Sequence, residues 1–175
     1  MNNKLPGDKR HQHSEIEKRV DLAHVRSVGA PLSSDVRMTL LIKHNAWLLN
    51  DLLNRTVEPY GISAVAYVAM MTLQSTQDNL ANPSELCVAT SETRSNMTRI
   101  TDELVAKGLI KRVANEEDRR RVDLSLTEEG MQLLRTVVPV IRAKTQAVFS
   151  VFSEETKVAF EAELILLKQT LEAGY

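Results

Sequence analysis

Between Gly108 and Leu126 the spacing of the apolar residues changes from helical to alternating, and no other stretch restricts the possible folds as much. Upstream of it, Met97, Ile100, Leu104 and Val105 recur at helical spacing, and Gly108 closes that run as a C-cap glycine. Leu109, Lys111 and Val113 then alternate with Ile110 and Arg112, and Val122, Leu124 and Leu126 alternate with Arg121, Asp123 and Ser125. The residues between the two runs, Ala114-Asn115-Glu116-Glu117-Asp118-Arg119-Arg120, are polar after Ala114. The pattern predicts one β-hairpin with a long charged tip, set in a chain whose other segments have helical period.

Those other segments carry their own start and stop signals. Residues 1–33 are polar and hold Pro6, Gly7, Gly29 and Pro31, so they are expected to form a partly ordered arm, with a short helix over Glu15 to Arg26. Ser33 or Ser34 can cap a helix running to Val57, before the break Pro59-Tyr60-Gly61. Leu41, Leu48 and Leu52 form one stripe on it, and Ile42, Leu49 and Leu53 a second, so more than one side is expected to be covered. Ser63 caps the next helix, to Ser75, and Thr76 to Leu80 read as a polar connection. Asn82-Pro83-Ser84-Glu85 is a capping box with proline at the first helical position, opening a short helix that ends near Ala89. Thr90-Ser91-Glu92 restarts a longer helix, with Ser91 or a neighbour as cap. Thr127 caps a helix to Val151, with Glu128 and Glu129 at its positive end and Pro139 as a potential kink. Ser153 opens the last helix, which ends near Ala173.

Hydrophobic residues make up 43% and charged residues 26% of the 175, which places the chain among globular domains rather than disordered ones. The apolar runs are too short for a membrane span, and no apolar segment follows the basic residues of the N-terminus, so a cytoplasmic location is expected. A single cysteine, Cys87, excludes an internal disulfide and a multi-thiolate zinc site. The net charge of -1 conceals an uneven distribution. Residues 91–121 carry 8 basic and 6 acidic side chains, with Arg119, Arg120 and Arg121 in one run, whereas residues 122–175 carry 5 and 8. A local basic site on an acidic body suits an anionic partner held in one place.

Two helices joined by a tight turn and followed by a basic-tipped hairpin, over Asn82 to Leu126, make a winged helix–turn–helix. A helix fits the major groove of double-stranded DNA and reaches base edges with its N-terminal residues. That end here presents Thr93, Arg94, Ser95, Asn96, Thr98 and Arg99, where arginine can pair with guanine and asparagine with adenine. The hairpin tip can place arginines on the neighbouring minor groove or backbone.

The run Asp118-Arg119-Arg120-Arg121-Val122-Asp123-Leu124-Ser125-Leu126-Thr127-Glu128-Glu129-Gly130 resembles the wing and exit signature of the MarR family of bacterial transcriptional regulators. Pro83-Ser84-Glu85-Leu86, Ser95-Asn96-Met97-Thr98-Arg99-Ile100, Leu104 and Gly108-Leu109-Ile110 resemble that family's helix–turn–helix, and the likeness extends over about residues 36–172. The nearer subgroups are the efflux-pump regulators and the urate-responsive regulators, which bind small aromatic or acidic ligands. The N-terminal extension favours the latter, although Trp47, the only tryptophan, lies in the first long helix and not in that extension.

The resemblance implies a mainly α fold with a small β-hairpin wing, in which a winged helix–turn–helix is flanked by dimerisation helices. The arm would occupy residues 1–33, the dimerisation helices 34–60 and 127–175, and the DNA-binding lobe 61–126. The broad apolar arcs of residues 36–57 and 131–171 independently favour a homodimer. The family likeness makes Asp118 the residue that orients Arg120 for groove contact, with Arg119 and Arg121 on phosphates. The expected function is that of a dimeric repressor, released from a pseudo-palindromic operator by a small aromatic or acidic ligand, a phenolic effector among them. The alternative is a winged-helix protein-interaction module, against which the three arginines count.

No Ser/His/Asp set, glycine-rich phosphate loop or paired carboxylate has supporting context, so an enzyme is not expected, nor a cofactor. His11 and His13 alternate in the arm without an acid or cysteine to complete a metal site. Cys87 faces the core of its short helix as filler, and the methionines and Trp47 are expected in the core as well. Should an effector pocket exist between dimerisation helices and DNA-binding lobe, His44, Trp47, Met70 and Met71 are the candidates to line it.

Overall fold

The computed structural model describes residues 29, 33–76, 79–114 and 122–174. The element order is α1 (Ser34–Val57), a 3-10 turn (Glu58–Tyr60), α2 (Ala64–Ser75), β1 (Leu80–Ala81), α3 (Pro83–Thr90), α4 (Arg94–Ala106), β2 (Ile110–Ala114), β3 (Val122–Leu126), α5 (Glu128–Phe149) and α6 (Glu154–Glu172). The chain divides into a unit ending at Asn50 and a larger unit from Asp51 onward. The possible helix over Glu15 to Arg26 lies outside the described residues.

Most helix starts follow the side chains expected to cap them. Ser63 Oγ accepts from the Ala66 N–H, Thr127 Oγ1 from Gly130, and Ser153 Oγ from Thr156. At α3 the box is complete: Asn82 Oδ1 accepts from Ser84 and Glu85, and the Glu85 carboxylate accepts from the Asn82 N–H at 2.9 Å. Each bond satisfies an N–H that the helix itself leaves without a partner.

The start of α4 differs from expectation. Ser91 is not its cap; with φ of 56° it takes the left-handed conformation that closes α3. Thr93 caps α4 instead, accepting from the Asn96 N–H at 3.3 Å. The turn between the two helices needs one left-handed residue, and that demand outweighs serine's preference for an N-cap. Three ends also shift: α3 extends to Thr90, α5 stops at Phe149 and α6 at Glu172. Pro139 is accommodated inside α5.

The hairpin acquires a third strand that the polar run Thr76 to Leu80 concealed. Leu80 and Ala81 pair with Ser125 and Leu124, giving an antiparallel sheet of order β1-β3-β2 in which Ile110 faces Leu126 and Ala114 faces Val122. Two residues are too few to show a period, so this strand leaves no sequence pattern.

The core of the larger unit is built from Val57, Met70, Leu73, Leu86, Met97, Ile100, Leu104, Ile110, Leu124, Leu126, Leu134 and Val137, all buried. Met97, Ile100 and Leu104 are the inner face of α4, and burying them turns the opposite face of that helix outward. Cys87 is half-buried and packs against this core. Trp47, expected inside, is 52% exposed.

Candidate nucleic-acid interface

The exposed side of α4 begins at its cap. Thr93, Arg94, Ser95, Thr98 and Arg99 are exposed and Asn96 is half-buried. Two of these six are partly committed to the backbone: Thr93 caps the helix, and Thr98 Oγ1 donates to the Arg94 carbonyl at 2.9 Å. The wing-tip candidates Asp118, Arg119, Arg120 and Arg121 lie outside the described residues.

Three joints fix α4 relative to the strands and to α2. The first is its C-terminus. The Gly108 N–H donates to the Val105 carbonyl and the Leu109 N–H to the Leu104 carbonyl, the paired bonds of a Schellman cap, and Gly108 has the φ of +69° that this cap requires. The chain thereby leaves the helix directly into β2. The second is an ion pair between Arg112 on β2 and Asp102 on α4. The third is Lys107, whose Nζ donates to Glu103 Oε1 at 2.6 Å and to the Gly61 carbonyl at 2.5 Å, tying the helix to the loop before α2.

Sequence reasoning missed the roles of Asp102, Arg112 and Lys107, because their partners lie ten and forty-six residues away. The only signal was that Arg112 occupies an alternating position next to a charged helix.

Glu103 lies between two cations. The hydrogen bond from Lys107 and the charge behind it hold its carboxyl below the ordinary value of 4.5; slight burial opposes this, and Arg99 adds a smaller pull downward. A depressed folded-state value means that the stabilisation is complete above the unfolded value and disappears as pH falls through the folded one. Urea midpoints measured below pH 4.5 should therefore fall less steeply in Glu103→Gln than in the parent chain. An identical pH profile for the two would count against this assignment.

Of the effector candidates, His44 and Trp47 come together, with ring centroids 5.9 Å apart and planes 16° from parallel. Both belong to the smaller unit, and Met70 and Met71 to the larger one. Met70 is completely buried in the core and Met71 is half-buried.

A sequence model of the MarR family matches residues 60–121, from the turn after α1 into the hairpin. An HTH-type transcriptional regulator of Escherichia coli, PrsX, is 30% identical over 146 residues, which cover 83% of this chain and 87% of that one. This chain belongs to the MarR family. The transcriptional repressor MprA of Escherichia coli is more similar over a shorter span, 37% over 105 residues, and the chain covers 60% of that repressor's length. The fold agrees with that of a MarR family transcriptional regulator from Streptomyces coelicolor solved in complex with DNA, at a TM-score of 0.72 and 23% identity, covering 80% of this chain and 93% of that one. Among the described residues no helix is long and apolar enough to cross a membrane.

Proposed function

We propose that this chain is a DNA-binding transcriptional regulator of the MarR type, acting as a homodimeric repressor. One observation carries the reading: α4 buries Met97, Ile100 and Leu104 in the core and thereby turns Arg94, Ser95, Thr98 and Arg99 outward beside a hairpin. Thr93 and Asn96 complete the face that enters the major groove. Arg120, oriented by Asp118, follows into the adjacent groove, with Arg119 and Arg121 on phosphates.

A dimer is supported by apolar stripes left uncovered on the single chain. Phe160, Leu164, Leu167 and Leu171 recur at alternating spacings of four and three along α6 and are 46%, 40%, 37% and 59% exposed. Met38, Leu41, Leu48 and Leu49 are exposed in the same way on α1. Four large apolar residues at heptad spacing form the seam of a helix pair rather than a solvated face. A twofold dimer presents two recognition helices about one DNA turn apart, hence a pseudo-palindromic operator. A small aromatic or phenolic effector would release it by favouring a dimer whose helices are misspaced, and the accessible His44–Trp47 stack is the surface that suits such a ring.

Fluorescence anisotropy with duplex DNA at two salt concentrations tests the reading. If Arg94, Arg119 and Arg121 of both copies neutralise phosphates, affinity should fall roughly a thousandfold between 50 and 200 mM salt. Affinity independent of salt, or no binding to duplex at low salt, would overturn it.

A further inference from the structure

The exposed face of α4 carries a continuous chain of side-chain contacts. Just before the helix, Glu92 Oε2 accepts from Asn96 Nδ2 at 2.7 Å. Asn96 Oδ1 in turn accepts from Arg99 Nη2 at 3.0 Å. The other terminal nitrogen of Arg99, Nη1, lies 3.7 Å from Glu103 Oε2, and Glu103 is itself held by Lys107. The chemistry fixes the direction of the series. A carboxylate only accepts, so the Asn96 amide must turn its NH₂ toward Glu92, which leaves its oxygen for the guanidinium. A reversed amide would set oxygen against oxygen at one end and donor against donor at the other.

This arrangement divides the work among the exposed side chains. To read adenine, Asn96 must offer both a donor and an acceptor on one edge. One of its two N–H groups is committed to Glu92 and one oxygen lone pair to Arg99, so the amide is fixed in its plane and cannot turn toward a base without breaking charge-assisted bonds at both ends. Arg99 is 68% exposed in its side chain, and each of its terminal nitrogens retains a second N–H. Arg94, by contrast, is exposed and has no ion-pair partner among the described residues. A cation free to swing suits phosphate, and one held in a fixed plane suits a base edge.

Resting on the DNA-binding reading above, we propose that Arg99 reads a guanine in each half-site and that Glu92 and Asn96 are the positioning residues that set this specificity. Asn96 is then the support of a guanine reader and not a reader of adenine.

The test uses the full chain and a duplex selected from a random pool, followed by anisotropy titrations with every single-base-pair variant of the selected site. The base pair read by Arg99 is the one whose discrimination disappears in Arg99→Ala. The parent chain should prefer guanine there by about 10- to 100-fold. Glu92→Ala and Asn96→Ala should each cut that preference severalfold, and in Glu92→Ala affinity for random duplex and the salt slope should stay as in the parent. Glu92→Gln, whose amide oxygen still accepts from Asn96, should restore it. Three results would overturn the proposal: full guanine preference in Glu92→Ala, relaxation of an A·T position in Asn96→Ala, or weakening on all duplexes alike with a lowered melting temperature. Failure of the parent chain to bind random duplex at low salt would remove the DNA-binding reading itself, and this assignment with it.

Discussion

Gly130→Ala should destabilise the larger unit by about 3 kcal/mol, toward the upper end of what overpacking a tight interior costs. A Cβ placed on Gly130 would sit 2.1 Å from the Leu109 carbonyl oxygen and 3.1 Å from Leu126 Cδ2. The first obstacle is backbone and cannot rotate aside. That carbonyl also accepts the Thr127 N–H at 3.1 Å, while Thr127 Oγ1 donates to the Gly108 carbonyl at 2.6 Å. The start of α5 is thus fastened to the segment that links α4 to β2, and moving it would loosen both bonds. For a chain of this size the expected loss in melting temperature is roughly 6–12 °C, measurable by calorimetry. A variant that melts with the parent would show that α5 does not approach Leu109 so closely in solution.

The second large effect concerns assembly. Leu164→Glu combined with Leu167→Glu places two charges in the exposed stripe of α6. Both side chains are more than one-third exposed in the single chain, so the monomer fold should change little in stability. If the stripe is the dimer seam, sedimentation at micromolar concentration should report a monomer where the parent is a dimer. Operator affinity should fall by about a hundredfold or more, because two half-sites are no longer engaged by one particle. A double variant that sediments as a dimer would show that α6 is not the seam.

Much of this could be read from the sequence because the decisive signals are local. Asn82, Ser63, Thr127 and Ser153 announce their helices within three residues, and the alternation of Leu109 to Val113 and Val122 to Leu126 outlines the two long strands. The outward face of α4 followed from the burial of Met97, Ile100 and Leu104. What stayed hidden depends on distant partners. Nothing near Leu80 indicates that Ser125 will pair with it. Ser91 and Thr93 are both sound cap residues, and the choice between them is made by how tightly α3 must turn into α4. Asn96 looked like a base reader because its amide suits adenine; only side-chain geometry reveals that Glu92 and Arg99 already occupy it.

The bond between Asp102 and Arg112 bears on how such a protein can be switched. Together with the glycine cap at Gly108, it joins α4 to β2 at two points. In a DNA-bound regulator of the kind proposed above, a displacement of α4 would therefore carry the start of the hairpin with it.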